Sequence, residues 1–283
     1  AGIGNNYGFD GSKRTGGILI ESLATTTNTP TIFSNITIAD SEFVNNSFGG
    51  ITIKQWNNGK GRDGSTGWAN RNSAGGAPDY YDPNWKPHTN ILITGNYINQ
   101  GASAYACNGI YLCGVKDSVV EKNLLEHIGT CGIELFFADN VAIQYNEVFD
   151  VRHKGGGQDS NAIDPDWRAT NILIQYNYVH DCGEGLLLCG MKFNSGIIRY
   201  NLIQDCLYSY VHYSMGGGYF QFSNNVFYRS KDGNGTSNFD PWGGGTASYV
   251  DNVFYDGKGT GFGFSGGTSF SYKNNAYYGT PAC

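Results

Sequence analysis

Three acidic residues fall together once two short segments are laid side by side. One reads Gly132-Ile-Glu-Leu-Phe and the other Ala162-Ile-Asp-Pro-Asp. If both are extended strands on neighbouring turns of one coil, Glu134 and Asp164 sit about 4.8 Å apart at the backbone, and Asp166 lies about 6.6 Å further along its strand. Carboxylates held that close cannot all ionise comfortably, so at least one pKa must rise. A protonated acid beside an ionised one suits the cleavage of a glycosidic bond. One group protonates the leaving oxygen while the other activates water or attacks the sugar. The same cluster would suit Ca²⁺, which gathers several carboxylate oxygens at once. Pro165, between the two aspartates, forfeits a ladder hydrogen bond in a central strand. Something other than strand stability therefore selected this segment.

The alignment that joins these acids extends to nine segments. Ile51, Ile110, Ile133, Ile163, Leu186, Tyr210, Phe239 and Phe262 form one apolar column, expected to face inward. The next residues, among them Thr52, Tyr111, Glu134, Asp164, Leu187, Val211 and Asp240, then face solvent, as do Lys54, Cys113, Phe136, Asp166, Cys189, Tyr213 and Trp242 two positions later. Glu134, Asp164 and Asp166 are thus the expected catalytic set. Arg168, Lys192, Tyr213, Asp240, Trp242, Tyr111 and Lys54 are the expected substrate contacts around it. His212 falls in the inward column and reads as a core histidine, and His180, beside Asp181, reads as structural. A second Asp-Pro step, Asp240-Pro241, lies three turns from the first, near 14 Å by strand spacing, a length that suits several sugar units. The polar segment Arg152-His153-Lys154 precedes the Asp164 strand and could fold over the carboxylates.

What must position these residues is a repeat. Asn96, Asn123, Asn146, Asn177, Asn201, Asn225, Asn252 and Asn275 recur every two dozen residues or so, each after a short β-like segment. A fixed period of this length means that each unit buries its apolar face only against its neighbours. Two or three strands per turn, with no helical stretch between them, is too tight for βαβ units. The chain therefore winds as an all-β, parallel β-helix of about nine rungs, over residues 1–283 as a single domain. Stacked asparagines would form a hydrogen-bonded ladder in one turn. A long insertion at 55–89 leaves the same sheet and carries Trp56, Trp68, Tyr80, Tyr81 and Trp85 with Arg62, Arg71 and His88. Loops of that length are usually functional or disordered. Its aromatics suit either stacking on sugar rings or burial against the coil.

Composition agrees. The 283 residues are 40% hydrophobic and only 15% charged, with 42 Gly, 20 Tyr and 16 Phe, which favours β-structure over helix. A net charge of −6 leaves no basic stripe to offset phosphate, so nucleic acid is not an expected partner. No stretch approaches the roughly 20 apolar residues of a membrane helix, so membrane insertion is not expected either.

On the asparagine repeat and the Gly-Ile-X-Leu strands, the chain resembles the right-handed parallel β-helix proteins of the pectate-lyase-like superfamily over essentially its whole length. The resemblance implies extracellular carbohydrate chemistry: glycoside hydrolysis, polysaccharide lysis, pectin ester hydrolysis or alginate epimerisation. Ile163-Asp-Pro-Asp-Trp-Arg is similar to the Asp-Pro-His-Asp stretch of mannuronan C5-epimerases, but Asp166 stands where that motif has His, and Trp167 where it has the second Asp. The leading expectation is a secreted polysaccharide-active glycoside hydrolase with no obligate cofactor. A lyase using Ca²⁺, with Lys192, Tyr213 or Arg168 near the α-proton, remains open. So does a non-catalytic fibre, spike or glycan-binding β-helix, whose uncapped ends would permit end-to-end self-association.

The start at Ala1 suggests a mature product from which a signal peptide has gone. Seven cysteines permit an oxidising compartment. Rung adjacency then allows Cys107–Cys131 and Cys182–Cys206 as disulfides, or equally as stacked buried thiols. Asn35, Asn45 and Asn234 begin glycosylation sequons of a kind that chance often produces.

Overall fold

A coil with one turn per repeat must hydrogen-bond each strand to the corresponding strand one turn away. The computed structural model shows this pairing, and it describes residues 16–22, 29–46, 48–56, 67–69, 71, 85–101, 108–151, 159–189, 194–214, 218–233, 238–240, 245–264 and 269–282. Among these residues, strands of two to seven residues form three parallel sheets of nine strands each, taken in strict rotation along the chain. The fold is a right-handed parallel β-helix, and nine rungs at about 4.8 Å give a rod of roughly 40 Å.

The first sheet, which carries the expected site, contains Asn108–Cys113, Cys131–Phe136, Asn161–Pro165, Glu184–Cys189 and Ser209–Ser214. Its inward residues stack in register: Ile51, Ile110, Ile133, Ile163, Leu186 and Val211 form one column, all fully buried. The second residue of each of these strands forms a corner, and it is glycine at Gly132 and Gly185. A Cβ at Gly132 would stand 2.5 Å from the Ala162 carbonyl oxygen and 2.6 Å from the Val148 side chain. The corner residue and the one after it therefore both face the interior, and strict alternation fails across the corner.

That failure displaces one expected column. Val211, not Tyr210, pairs with Leu186, and His212 pairs with Leu187. Tyr210 occupies the corner position that Gly185 holds one rung earlier, where it is fully buried and donates its hydroxyl to the Tyr228 carbonyl at 2.9 Å. His212 consequently faces outward, and Tyr213 faces inward. At the last rung Phe264, not Phe262, lies beside Phe239.

The asparagine ladder closes the turn between the second and third sheets. Each ladder asparagine after Asn96 accepts on Oδ1 from the backbone N–H and the side-chain amide of the asparagine one rung earlier. Asn146 gives both bonds to Asn177 at 3.0 Å, and Asn177 gives both to Asn201 at 2.9 and 3.0 Å. The amide of Asn177 also reaches the carbonyls of Ile143 and Gln175 at 2.9 and 3.1 Å. Each such amide satisfies buried backbone groups that a turn would otherwise strand. The residue before each asparagine is left-handed: Tyr145, Tyr176 and Tyr200 have φ of 56°, 55° and 55°. That conformation costs about 1 kcal/mol or more per non-glycine residue, and the ladder offsets it. The three exposed tyrosine rings stack at 5.0 and 5.1 Å.

Near the last rungs, Arg229 grips Asp256 through two parallel bonds of 2.7 and 2.6 Å, both side chains being buried. Burial pushes the Asp256 carboxyl up, but the Arg229 guanidinium and the backbone N–H groups of Gly261 and Lys258 outweigh it and hold the pKa at about 2.

Candidate functional site

The corner geometry decides which side chains meet on the outer face of the first sheet. Because the corner residue turns inward, the residue before it turns outward. Asn108, Cys131, Asn161, Glu184 and Ser209 occupy that position on five successive rungs. They lie beside the outward column Tyr111, Glu134, Asp164, Leu187 and His212, in which Glu134 is the direct register neighbour of both Tyr111 and Asp164.

The two columns bond to one another. The Asn108 amide donates to a Glu134 carboxylate oxygen. The Cys131 thiol lies 3.6 Å from Asp164 Oδ2 as donor, and the Asn161 amide lies 3.5 Å from Cys131 Sγ. Glu184 Oε1 meets His212 Nδ1 at 2.7 Å. One donor atom each from Cys131, Glu134 and Asp164 lies within 4.8 Å of the other two. Asp166, just past the strand, accepts from the Trp167 N–H at 2.7 Å.

These acids are not solvated, contrary to the expectation of a solvent-facing column. Glu134, Asp164 and Asp166 are 4%, 3% and 4% exposed. On the same outer face a second apolar layer, Phe48, Tyr111, Cys113, Phe136, Phe137, Trp167, Leu187 and Cys189, packs together with Ala69 of the long insertion. Burial raises the Asp164 pKa well above the carboxylate range. The charges of Asp166 and Glu134 add to that, against a small opposing effect of the Cys131 thiol. Asp164 therefore holds its proton under conditions where an ordinary aspartate is ionised. Its Oδ1 and the Oδ1 of Asn161 are buried with no hydrogen-bond partner among the described residues.

The expected substrate contacts divide. Tyr213 is in the core, its hydroxyl 2.7 Å from that of Tyr249, so it cannot face a ligand on this sheet. Lys54 is buried, 3.8 Å from Glu21, and Tyr111 is buried between Phe48 and Phe136 at ring separations of 5.7 Å each. Neither is a solvent-facing contact. Arg168 sits in the left-handed turn after Trp167, its guanidinium 6.0 Å from both the Trp167 and Phe137 ring centres, at the margin of the apolar layer. Asp240 lies in register beside His212. Lys192, Trp242, the segment 152–154 and the side chain of Asp240 fall outside the described residues.

Within the insertion, Arg71 donates to the Ala138 and Arg168 carbonyls at 2.7 and 3.1 Å and stacks 4.6 Å from the buried Trp85 ring. His88 is fully buried between the Phe33 N–H and the Lys54 carbonyl. Those residues hold the described parts of the insertion against the coil, while Arg62, Tyr80 and Tyr81 lie outside the described residues. Cys131, Cys182 and Cys206 are separate buried thiols, and Cys107 is outside the described residues. His180 stacks on Phe149 and Tyr178 at the sheet surface.

The family model for the right-handed beta helix region matches residues 71–227, more than half of the 283-residue chain. The chain belongs to the right-handed β-helix family. No curated protein matches it. A solved structure, the complex of XylC with xylose, is similar at a TM-score of 0.36 and 12% identity, over 66% of this chain and 48% of that one. The chain thus spans about half the length of that structure.

As a β-helix protein, this chain has candidate site residues that reading by alternation alone does not find. Asn108, Cys131, Asn161, Glu184 and His212 all belong to the outer face, and the first four share one sequence signal: a polar residue or cysteine immediately before the corner position. The donor set also bears on Ca²⁺. That ion takes six to eight oxygen ligands, whereas here a thiol stands among three ligand atoms and Asn108 already holds one Glu134 oxygen. The described residues do not fit Ca²⁺.

Proposed function

We propose that this β-helix is a carbohydrate-active enzyme that cleaves glycosidic bonds in a polysaccharide or oligosaccharide, with Asp164 as the proton donor. The observation that carries the reading is a buried carboxyl that burial and two acidic neighbours keep protonated, directly beside a second carboxylate on the next strand. Glu134, oriented by the Asn108 amide, is the partner that attacks or activates water. Asp166 supports the protonated state of Asp164 through its charge. These are the two roles hydrolysis of an acetal demands of a carboxyl pair. The apolar layer over the sheet must part to admit a sugar, and its aromatic rings suit the faces of pyranose units once it does. A polymeric substrate places the enzyme outside the cell.

Ca²⁺-assisted elimination fits this site less well, because a thiol shares the donor set and Tyr213 is in the core. The burial of all three acids favours a second reading, a non-catalytic β-helix that binds glycan or associates end to end. Incubation with neutral and uronic polysaccharides separates the alternatives. New reducing ends without ultraviolet-absorbing unsaturated ends are expected. Unsaturated products would replace hydrolysis by elimination, and no product on any polymer would leave the non-catalytic reading.

A further inference from the structure

A buried thiol beside two carboxylates is unusual chemistry for a sugar-cleaving site, and acid catalysis makes no use of it. Cys131 is 3% exposed, Asn161 is fully buried, and Asp164 is 3% exposed. Two oxygens in this small volume, Asp164 Oδ1 and Asn161 Oδ1, have no hydrogen-bond partner among the described residues. A buried acceptor left in that state costs about 1–3 kcal/mol, so the pair is destabilising unless something else satisfies it. Asn161 stands opposite Cys131 in the strand register, with its amide against the sulfur. Turning that amide by half a turn exchanges Nδ2 for Oδ1 at the cluster.

The separations match one kind of coordination. Zinc binds thiolate sulfur at about 2.3 Å and oxygen at about 2.0–2.2 Å in a tetrahedron, which puts sulfur and oxygen ligands about 3.5 Å apart. Cys131 Sγ lies 3.6 Å from Asp164 Oδ2 and 3.5 Å from the Asn161 amide nitrogen. Glu134 offers a third donor within 4.8 Å of the other two, and the Asn108 amide already holds its carboxylate in place. Ligands oriented by a hydrogen-bonding outer shell are the usual arrangement around a bound metal.

We infer that Cys131, Glu134 and Asp164, with Asn161 as the fourth donor, form a binding site for a thiophilic divalent cation of the zinc class. Binding displaces the protons of the Cys131 thiol and the Asp164 carboxyl into solvent and leaves both groups bonded to the ion. An ion bound there occupies Asp164, the proton donor of the proposed cleavage, so it inhibits. That consequence, though not the binding itself, rests on the proposed function.

Co²⁺ reports the site directly, because tetrahedral coordination gives intense visible bands and a thiolate ligand adds a near-ultraviolet charge-transfer band. Titration of the full chain, reduced and metal-free, is expected to show both bands, saturating at one Co²⁺ per chain and abolished by Zn²⁺. Cys131→Ser should remove the charge-transfer band and weaken binding at least ~10-fold, with circular dichroism confirming the fold. Should that variant not fold, Asp164→Asn, close to isosteric, is expected to weaken Co²⁺ at least ~10-fold. No charge-transfer band in the parent, or an unchanged band in folded Cys131→Ser, overturns the site. Unchanged affinity in Asp164→Asn does so equally. Bands without cleavage of any polymer support the metal site while removing the catalytic reading. Cleavage without bands does the reverse.

Discussion

Asp164→Asn should separate catalysis from stability in opposite directions. The substitution keeps the shape of the side chain and its approach to Cys131, but it removes the proton that burial holds on Asp164. Loss of a general acid costs about 10²–10⁴ in rate, so turnover should fall at least ~100-fold, or about 2.7 kcal/mol in the barrier. The fold should not weaken. A folded-state pKa above the unfolded value means that the stability linked to the Asp164 proton is fully present below pH ~4 and is lost as pH rises through the folded pKa. The asparagine variant has no such loss. Its urea midpoint relative to the parent should therefore rise with pH over the range in which Asp164 of the parent ionises. Initial rates on a cleaved polymer, with urea unfolding at several pH values, check both halves. Full activity in the variant would remove Asp164 from the chemistry. A stability difference that shrinks with rising pH would show that the carboxyl is not held protonated by its surroundings.

Two further expectations test the frame. Asn177→Ala removes five hydrogen bonds from the middle of the ladder, at about 1 kcal/mol each with some sharing. It should cost about 3–5 kcal/mol in urea unfolding, whereas Asn275→Ala, half-buried at the ladder's end with three such bonds, should cost clearly less. Equal losses would mean that the ladder does not carry the turns. Arg229→Met should cost about 3–5 kcal/mol near neutral pH, because Asp256 stays buried without its cation. The parent's Asp256 contribution, about 2 kcal/mol from a pKa of about 2 against an ordinary 3.8, is present above pH ~4 and lost as pH falls towards 2. The gap between variant and parent in thermal unfolding should therefore narrow over that interval, and a gap that does not depend on pH would refute the linkage.

The coil itself was legible in the sequence, because a period of about two dozen residues with asparagine at one point can be satisfied only by stacking like on like. The adjacency of Glu134 and Asp164 followed from the same register, since both strands begin at a small residue and an isoleucine. Where the corner residue was large, the reading slipped: Tyr210 fills the interior at a position that glycine holds elsewhere, which turns His212 outward and Tyr213 inward. Alternation is a local rule, and a corner breaks it. Only the tertiary structure decided that the outer face is buried and that a second apolar layer joins Phe48, Tyr111, Phe136, Phe137, Trp167 and Leu187 from different rungs with Ala69 of the insertion. It also placed Cys131 and Asn161 against Asp164. A sequence carries the order of residues along a strand, whereas the environment that sets a carboxyl's proton affinity comes from whatever packs across it.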